Sequence, residues 1–68
     1  PQMTTHRIEY NGKTYAVTWK LEGNRREIVD LDVRIHRAPR VMRDGASYFR
    51  RVPRNGVVWN AIEDQLNH

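Results

Sequence analysis

The chain contains no cysteine, and this absence removes two common ways of stabilising a small domain. Neither a disulfide nor a thiolate metal site can form. A chain of 68 residues has room for one domain, residues 1–68, with a thin apolar core. Its stability therefore has to come from compact packing, or from a partner that adds buried surface. The lack of cysteine also fits a reducing compartment, and we expect a cytoplasmic protein.

Long apolar segments are missing as well. No apolar run in the sequence approaches the roughly 18 residues that a membrane span requires. Residues 1–6 contain no hydrophobic stretch of the signal-peptide type. We therefore expect neither a membrane partner nor a secreted protein.

The residue types from which catalytic sites are built are few and scattered. Ser47 is the only serine, and no Gly-x-Ser-x-Gly pattern surrounds it, as would be expected for an activated nucleophile. The histidines His6, His36 and His68 lie far apart and show none of the spacing of metal-binding helices. The four glycines fall singly in predicted turns, so no phosphate-binding loop is visible. The sequence predicts a protein that is not an enzyme and that uses no cofactor.

One pair of acidic residues could hold a hard cation. Asp30 and Asp32 are two residues apart and share one face of a predicted strand. Balance by the basic side chains of Lys20 and Arg34 on a solvated face accounts for them more simply. We therefore predict no metal site.

The N-terminal part carries the strongest structural signal. Asn11-Gly12 lies between two alternating runs, which is typical of a two-residue type I′ hairpin. This loop places Tyr10 opposite Lys13 and continues the pairing along both strands. Opposed residues share a face of the sheet, so one face is predicted to be apolar. Its members are Ile8, Tyr10, Tyr15, Val17, Trp19 and Leu21.

A third strand is predicted after a turn at residues 22–26. Apolar and polar residues alternate from Val29 to His36, a period of two that a helix does not produce. If Leu21 lies opposite Val29, the apolar faces of the three strands coincide. Lys20 then lies opposite Asp30 as a cross-strand ion pair.

The remaining elements are two short strands and a helix. Asp44-Gly45 is a second hairpin signal, and it predicts strands at about 40–43 and 46–52 that end before Pro53. Helical spacing of apolar residues from Val58 to Leu66 predicts an amphipathic C-terminal helix, with Asn60, Glu63, Asp64 and Asn67 on its polar side. In an alternative interpretation, residues 57–59 form a last strand and Asn60 caps a shorter helix.

These elements define the predicted fold class, which is α+β. We expect a small antiparallel β-meander of four or five strands with one C-terminal amphipathic helix packed on the sheet. An SH3-like or OB-like partial barrel is the alternative, because the same strands could curl closed.

The charge distribution is the most informative functional feature. The chain has 12 basic and 8 acidic residues, a net charge of +4, and all but two of the basic residues are arginine. Arginine carries a planar set of donors that suits phosphate and carboxylate groups. The basic residues concentrate in the C-terminal half, and Tyr48 and Phe49 lie among them. The predicted binding residues are Arg34, Arg37, Arg40, Arg43, Tyr48, Arg50, Arg51 and Arg54.

Two functions are consistent with this surface. In the first, the arginines bind the phosphates of DNA or RNA, and Tyr48 provides a ring on which a base stacks. In the second, the chain is a small regulator or inhibitor, such as a phage or plasmid encodes, that docks on an acidic surface of a larger protein. A homodimer would serve either function, because a thin core and exposed strand edges favour added surface.

Overall fold

The structure is a computed structural model that describes residues 2–36 and 47–68, with only the backbone described at position 47. Within these residues, four strands form one open antiparallel sheet in the order β1-β2-β3-β4, and a helix follows. The elements are β1 (Met3–Tyr10), β2 (Lys13–Glu22), β3 (Arg25–His36), β4 (Ser47–Arg51) and α1 (Val57–Leu66). The predicted α+β meander with a C-terminal helix is confirmed.

The first hairpin has the predicted register. Tyr10 pairs with Lys13, Ile8 with Tyr15, and the pairing continues to Met3 opposite Lys20. Asn11 and Gly12 have φ values of 54° and 78°, and positive values at both central residues define the type I′ turn.

The register between β2 and β3 differs from the prediction. Leu21 lies opposite Arg26 and not Val29, because the connecting turn is only Gly23-Asn24. Gly23 has φ 65°, as the first central residue of a type II′ turn requires. A β-bulge opposite Thr18 and Trp19 then adds one residue to β3, and both Ile28 and Leu31 reach the core.

The fourth strand runs over Ser47–Arg51, close to the predicted 46–52, and pairs directly with β3. The amide of Val52 donates to the carbonyl of Leu31 at 2.9 Å, and Pro53 follows. The predicted strand at 40–43 lies outside the described residues.

The helix covers one face of the sheet and packs mainly on β3. Residues 57–59 are helical, so the alternative with a last strand is wrong. The buried core joins strands and helix. Its members are Tyr15, Val17, Ile28, Leu31, Val33, Val52, Trp59 and Ile62.

Two residues predicted on the polar side of the helix bind the sheet instead. Glu63 Oε2 accepts from the amide of Ile28 at 3.3 Å. Asn67, directly after α1, accepts from the amide of Arg26 at 2.7 Å and donates to the carbonyl of the same residue at 2.9 Å. The C-terminal end of the helix is thereby attached to the beginning of β3.

Among residues 2–36 and 47–68, no helix has the length and apolar character needed to cross a bilayer.

Candidate partner-binding groove

A groove of about 290 Å³ opens on the helix side of the sheet, beside the N-terminal end of α1. We call it the basic groove. Its lining residues are Lys13, Tyr15, Val33, Ile35, Arg50, Arg51, Val52, Pro53 and Val58. The helix covers the neighbouring part of this face, and in the groove the apolar face of the sheet meets solvent.

Strand pairing positions the groove. Tyr15 in β2 lies opposite Val33 in β3, and Val33 lies opposite Arg50 in β4. Opposed residues share a face, so the arginine stands in line with two core residues. Pro53 ends the strand region and Val58 lies in the first turn of the helix, and these two residues form the wall nearest α1.

The charge of the groove has one sign. Three of its lining residues are cationic and none is acidic. Within the described parts of the chain, neither Lys13 nor Arg50 forms an ion pair. Both residues are exposed. Two cations to which the described residues supply no counter-charge therefore lie beside an apolar floor.

Arg51, by contrast, is balanced internally. Its Nη1 lies 2.5 Å from Asp30 Oδ1 and its Nε lies 3.2 Å from Asp32 Oδ1, on the face of the sheet that the helix leaves open. The hydrogen bond to Asp30, with the charges of Asp32 and Asp30, raises the pKa of Arg51 above its usual value. Arg51 thus lines the groove, but its guanidinium is bound to the two aspartates.

The predicted ion pair between Lys20 and Asp30 is wrong. Thr18 lies opposite Asp30, and Lys20 lies opposite Glu27. The Nζ of Lys20 instead lies 3.8 Å from Glu22 on its own strand.

In the described ranges, no group of three or more histidine, cysteine, aspartate or glutamate residues is arranged to hold a metal ion.

Arg54 is held against the core. Its guanidinium lies 4.7 Å from the ring centroid of Trp59 and donates to the carbonyl of Val29 at 3.0 Å. These contacts connect the turn before α1 to the sheet, so a part of the donor capacity of Arg54 is used inside the protein.

The other predicted binding residues divide between the two faces. Arg34 lies opposite Phe49 on the face that the helix leaves open. On the same face, the guanidinium of Arg7 lies 5.5 Å from the centroid of the Phe49 ring. Tyr48 lies opposite Ile35 on the helix side and is 37 % exposed. Arg37, Arg40 and Arg43 lie outside the described residues. The structure therefore brings Tyr48 and Arg50 to one face and puts the charges of Arg34 and Arg51 on the other.

The binding residues predicted from the sequence do not include Lys13 or the apolar floor of the groove. The sequence nevertheless indicates the position of Lys13. The predicted hairpin pairs this lysine with Tyr10 and so places the lysine on the apolar face. A lysine on that face near a hairpin end marks the point where the apolar surface meets water. The number of arginine residues does not reveal this lysine.

A comparison of the chain with known protein families, curated proteins and solved structures found no match.

Proposed function

We propose that this chain is a small, non-enzymatic, cytoplasmic binding module that docks on an acidic surface of a partner protein through the basic groove. One observation carries the proposal. Lys13 and Arg50 lack a counter-charge within the described residues and flank a floor made of apolar side chains. A partner that supplies carboxylates and an apolar side chain would neutralise the two cations and cover the apolar floor.

The arrangement favours a protein over a nucleic acid. Binding to a phosphate backbone gains affinity from many cations that contact phosphates along one surface. Among the described arginines, Arg51 is paired with two aspartates and Arg54 is held over Trp59. The floor of the groove also offers few polar groups that could contact sugars or bases.

A single-stranded nucleic acid is the second candidate. Tyr48 exposes part of its ring on the same face of β4 as Arg50, two residues away. An aromatic ring beside a guanidinium suits a stacked base and its phosphate. DNA and RNA are equally compatible with this pair.

A titration separates the two candidates. The ¹⁵N-labelled protein is titrated with an acidic peptide and with single- and double-stranded DNA and RNA oligonucleotides, across a salt series. Shifts of the groove amides with the peptide support the proposal. Shifts with an oligonucleotide whose affinity falls steeply with salt replace it by the second candidate.

A matched pair of charge reversals provides the control. Arg50→Glu and Arg25→Glu change the net charge equally, but Arg25 lies at the other end of β3, 3.9 Å from Asp64. The proposal requires that Arg50→Glu weakens binding and that Arg25→Glu does not. Equal loss in both variants would mean that net charge alone drives binding, and the groove would have no role.

A further inference from the structure

We infer that the basic groove recognises an extended protein segment in which two carboxylates, four residues apart, flank a bulky apolar side chain. This inference rests on the proposed function and specifies the partner. It follows from the size of the groove, the nature of its floor and the separation of its two cations.

The size of the groove suits side chains. Its volume of about 290 Å³ is at the lower end of the range of small-molecule pockets. The floor between the cations consists of the apolar side chains of Val33 and Ile35, with the ring of the buried Tyr15 beside them, and Val52 lines the groove beyond Arg50. Such a floor holds a leucine or phenylalanine side chain and provides little that would orient a polar ligand.

The separation of the cations follows from the register. Tyr15 and Arg50 lie in one row across three strands, which is two strand spacings or about 10 Å. Lys13 lies two residues further along β2, which adds about 7 Å in the perpendicular direction. The resulting distance is about 12 Å. An extended chain covers it in about four residues, and side chains four residues apart lie on the same side of an extended segment.

The two charges also lie on either side of the floor. Lys13 belongs to β2 and Arg50 to β4, and the floor residues Val33 and Ile35 belong to β3 between them. A segment that crosses the strands thus meets a cation, the apolar floor and a second cation in that order. A segment with an acidic residue, an apolar residue two positions later and a second acidic residue two positions after that matches this order, because alternate side chains of an extended segment share one side.

The groove by itself is an anchor and not a complete interface. One buried apolar side chain and two exposed ion pairs correspond to a dissociation constant of about 1 mM. A stable complex would need about 800 Å² of buried surface on each partner. The occupant is therefore a segment on the surface of a folded protein, and an isolated peptide should bind weakly.

The test uses the ¹⁵N-labelled full chain and four octapeptides. The first contains glutamate-serine-leucine-serine-glutamate between glycine and serine residues. In the second, a serine replaces the leucine. In the third, glutamines replace the glutamates, and in the fourth, both glutamates precede the leucine. We expect the first to shift the amides around Lys13, Val33 and Arg50, with an affinity at least tenfold above each control.

Variants of the protein assign the carboxylates. Lys13→Gln and Arg50→Gln are each combined with peptides in which one glutamate is replaced by glutamine. Each variant should abolish the effect of one glutamate and leave that of the other unchanged. Arg25→Gln is the control, and the amide spectrum of every variant shows whether it is folded.

The outcomes distinguish this inference from the proposed function. If the serine peptide binds as well as the first, the apolar floor is irrelevant and the inference falls, whereas an acidic partner stands. If only oligonucleotides shift the groove amides, the inference and the protein partner fall together. If the fourth peptide binds as well as the first, the spacing argument is refuted.

Discussion

The attachment of the helix through Asn67 should make a large contribution to the stability of this small domain. The carboxamide of Asn67 bonds both the amide and the carbonyl of Arg26, at 2.7 and 2.9 Å, as a neighbouring strand would. Its Nδ2 also donates to the carbonyl of Glu63 at 2.8 Å, which fixes the orientation of the side chain. Asn67→Ala removes all three bonds without changing the core.

The expected loss follows from these contacts. Two hydrogen bonds between helix and sheet, each contributing about 0.5–1.5 kcal/mol, give a loss of about 2 kcal/mol. A domain of 68 residues has a free energy of unfolding of about 3–10 kcal/mol. The substitution should therefore lower the melting temperature by about 8–16 °C.

The assay is urea denaturation followed by tryptophan fluorescence, with circular dichroism as a second probe. Trp19 reports on the sheet and Trp59 on the helix. Gln65→Ala is the matched control, because it removes a carboxamide from an exposed position of the same helix. Its midpoint should stay within about 0.5 kcal/mol of the wild type. Equal midpoints for Asn67→Ala and Gln65→Ala would refute the reasoning.

Three other substitutions test separate parts of the fold. Arg54→Ala removes the guanidinium over Trp59 and the hydrogen bond to the carbonyl of Val29. It should lower the free energy of unfolding in urea by about 1–2 kcal/mol and change the fluorescence spectrum. An unchanged midpoint would show that the turn needs no attachment to the sheet. Val17→Asp places a carboxylate at a fully buried position and should abolish the folded amide spectrum, whereas a folded variant would contradict the β1–β2 register. Gly23→Ala places an alanine at φ 65° and should lower the free energy of unfolding in thermal melts by about 1–2 kcal/mol. A melting temperature equal to that of the wild type would contradict the type II′ turn.

The sequence predicts the first hairpin well because two independent signals agree. Asn11-Gly12 determines the turn type, and the alternation on both sides determines which residues share a face. A shift of one residue would move every apolar side chain to the wrong face. The structure confirms the pairing from Tyr10 opposite Lys13 to Thr4 opposite Trp19.

The second hairpin shows where such reasoning fails. Ile28 and Val29 are both apolar, so a period of two can begin at either residue, and the alternation from Val29 onward hides the bulge. The two-residue turn moves the register three residues away from the predicted one, and the extra residue in β3 recovers one of them. Beyond the bulge, the residues of β3 therefore lie on the predicted faces but remain displaced by two positions. Leu21, predicted on the apolar face, is 60 % exposed because Arg26 lies opposite to it near the hairpin end.

The candidate site is only partly visible in the sequence for a similar reason. Arginine count identifies a basic segment, but the partner of each arginine depends on strand pairing. Asp30 and Asp32 reach Arg51 because β3 pairs with β4, and Trp59 reaches Arg54 because the helix returns over the sheet. Those contacts separate the arginines that bind inside the protein from Arg50, which faces the groove.

The order of the elements along the chain has a consequence for synthesis on the ribosome. Strands β1 to β4 precede α1, yet the helix supplies Trp59 and Ile62 to the core that also contains Val17 and Leu31. At a translation rate of about 5–20 residues per second, a nascent chain keeps the apolar face of its sheet uncovered for up to a few seconds before α1 emerges. During that interval the face is a substrate for chaperones and a surface for association with other nascent chains. Slowing translation after β4 should therefore lower the yield of native protein more than slowing it before β1.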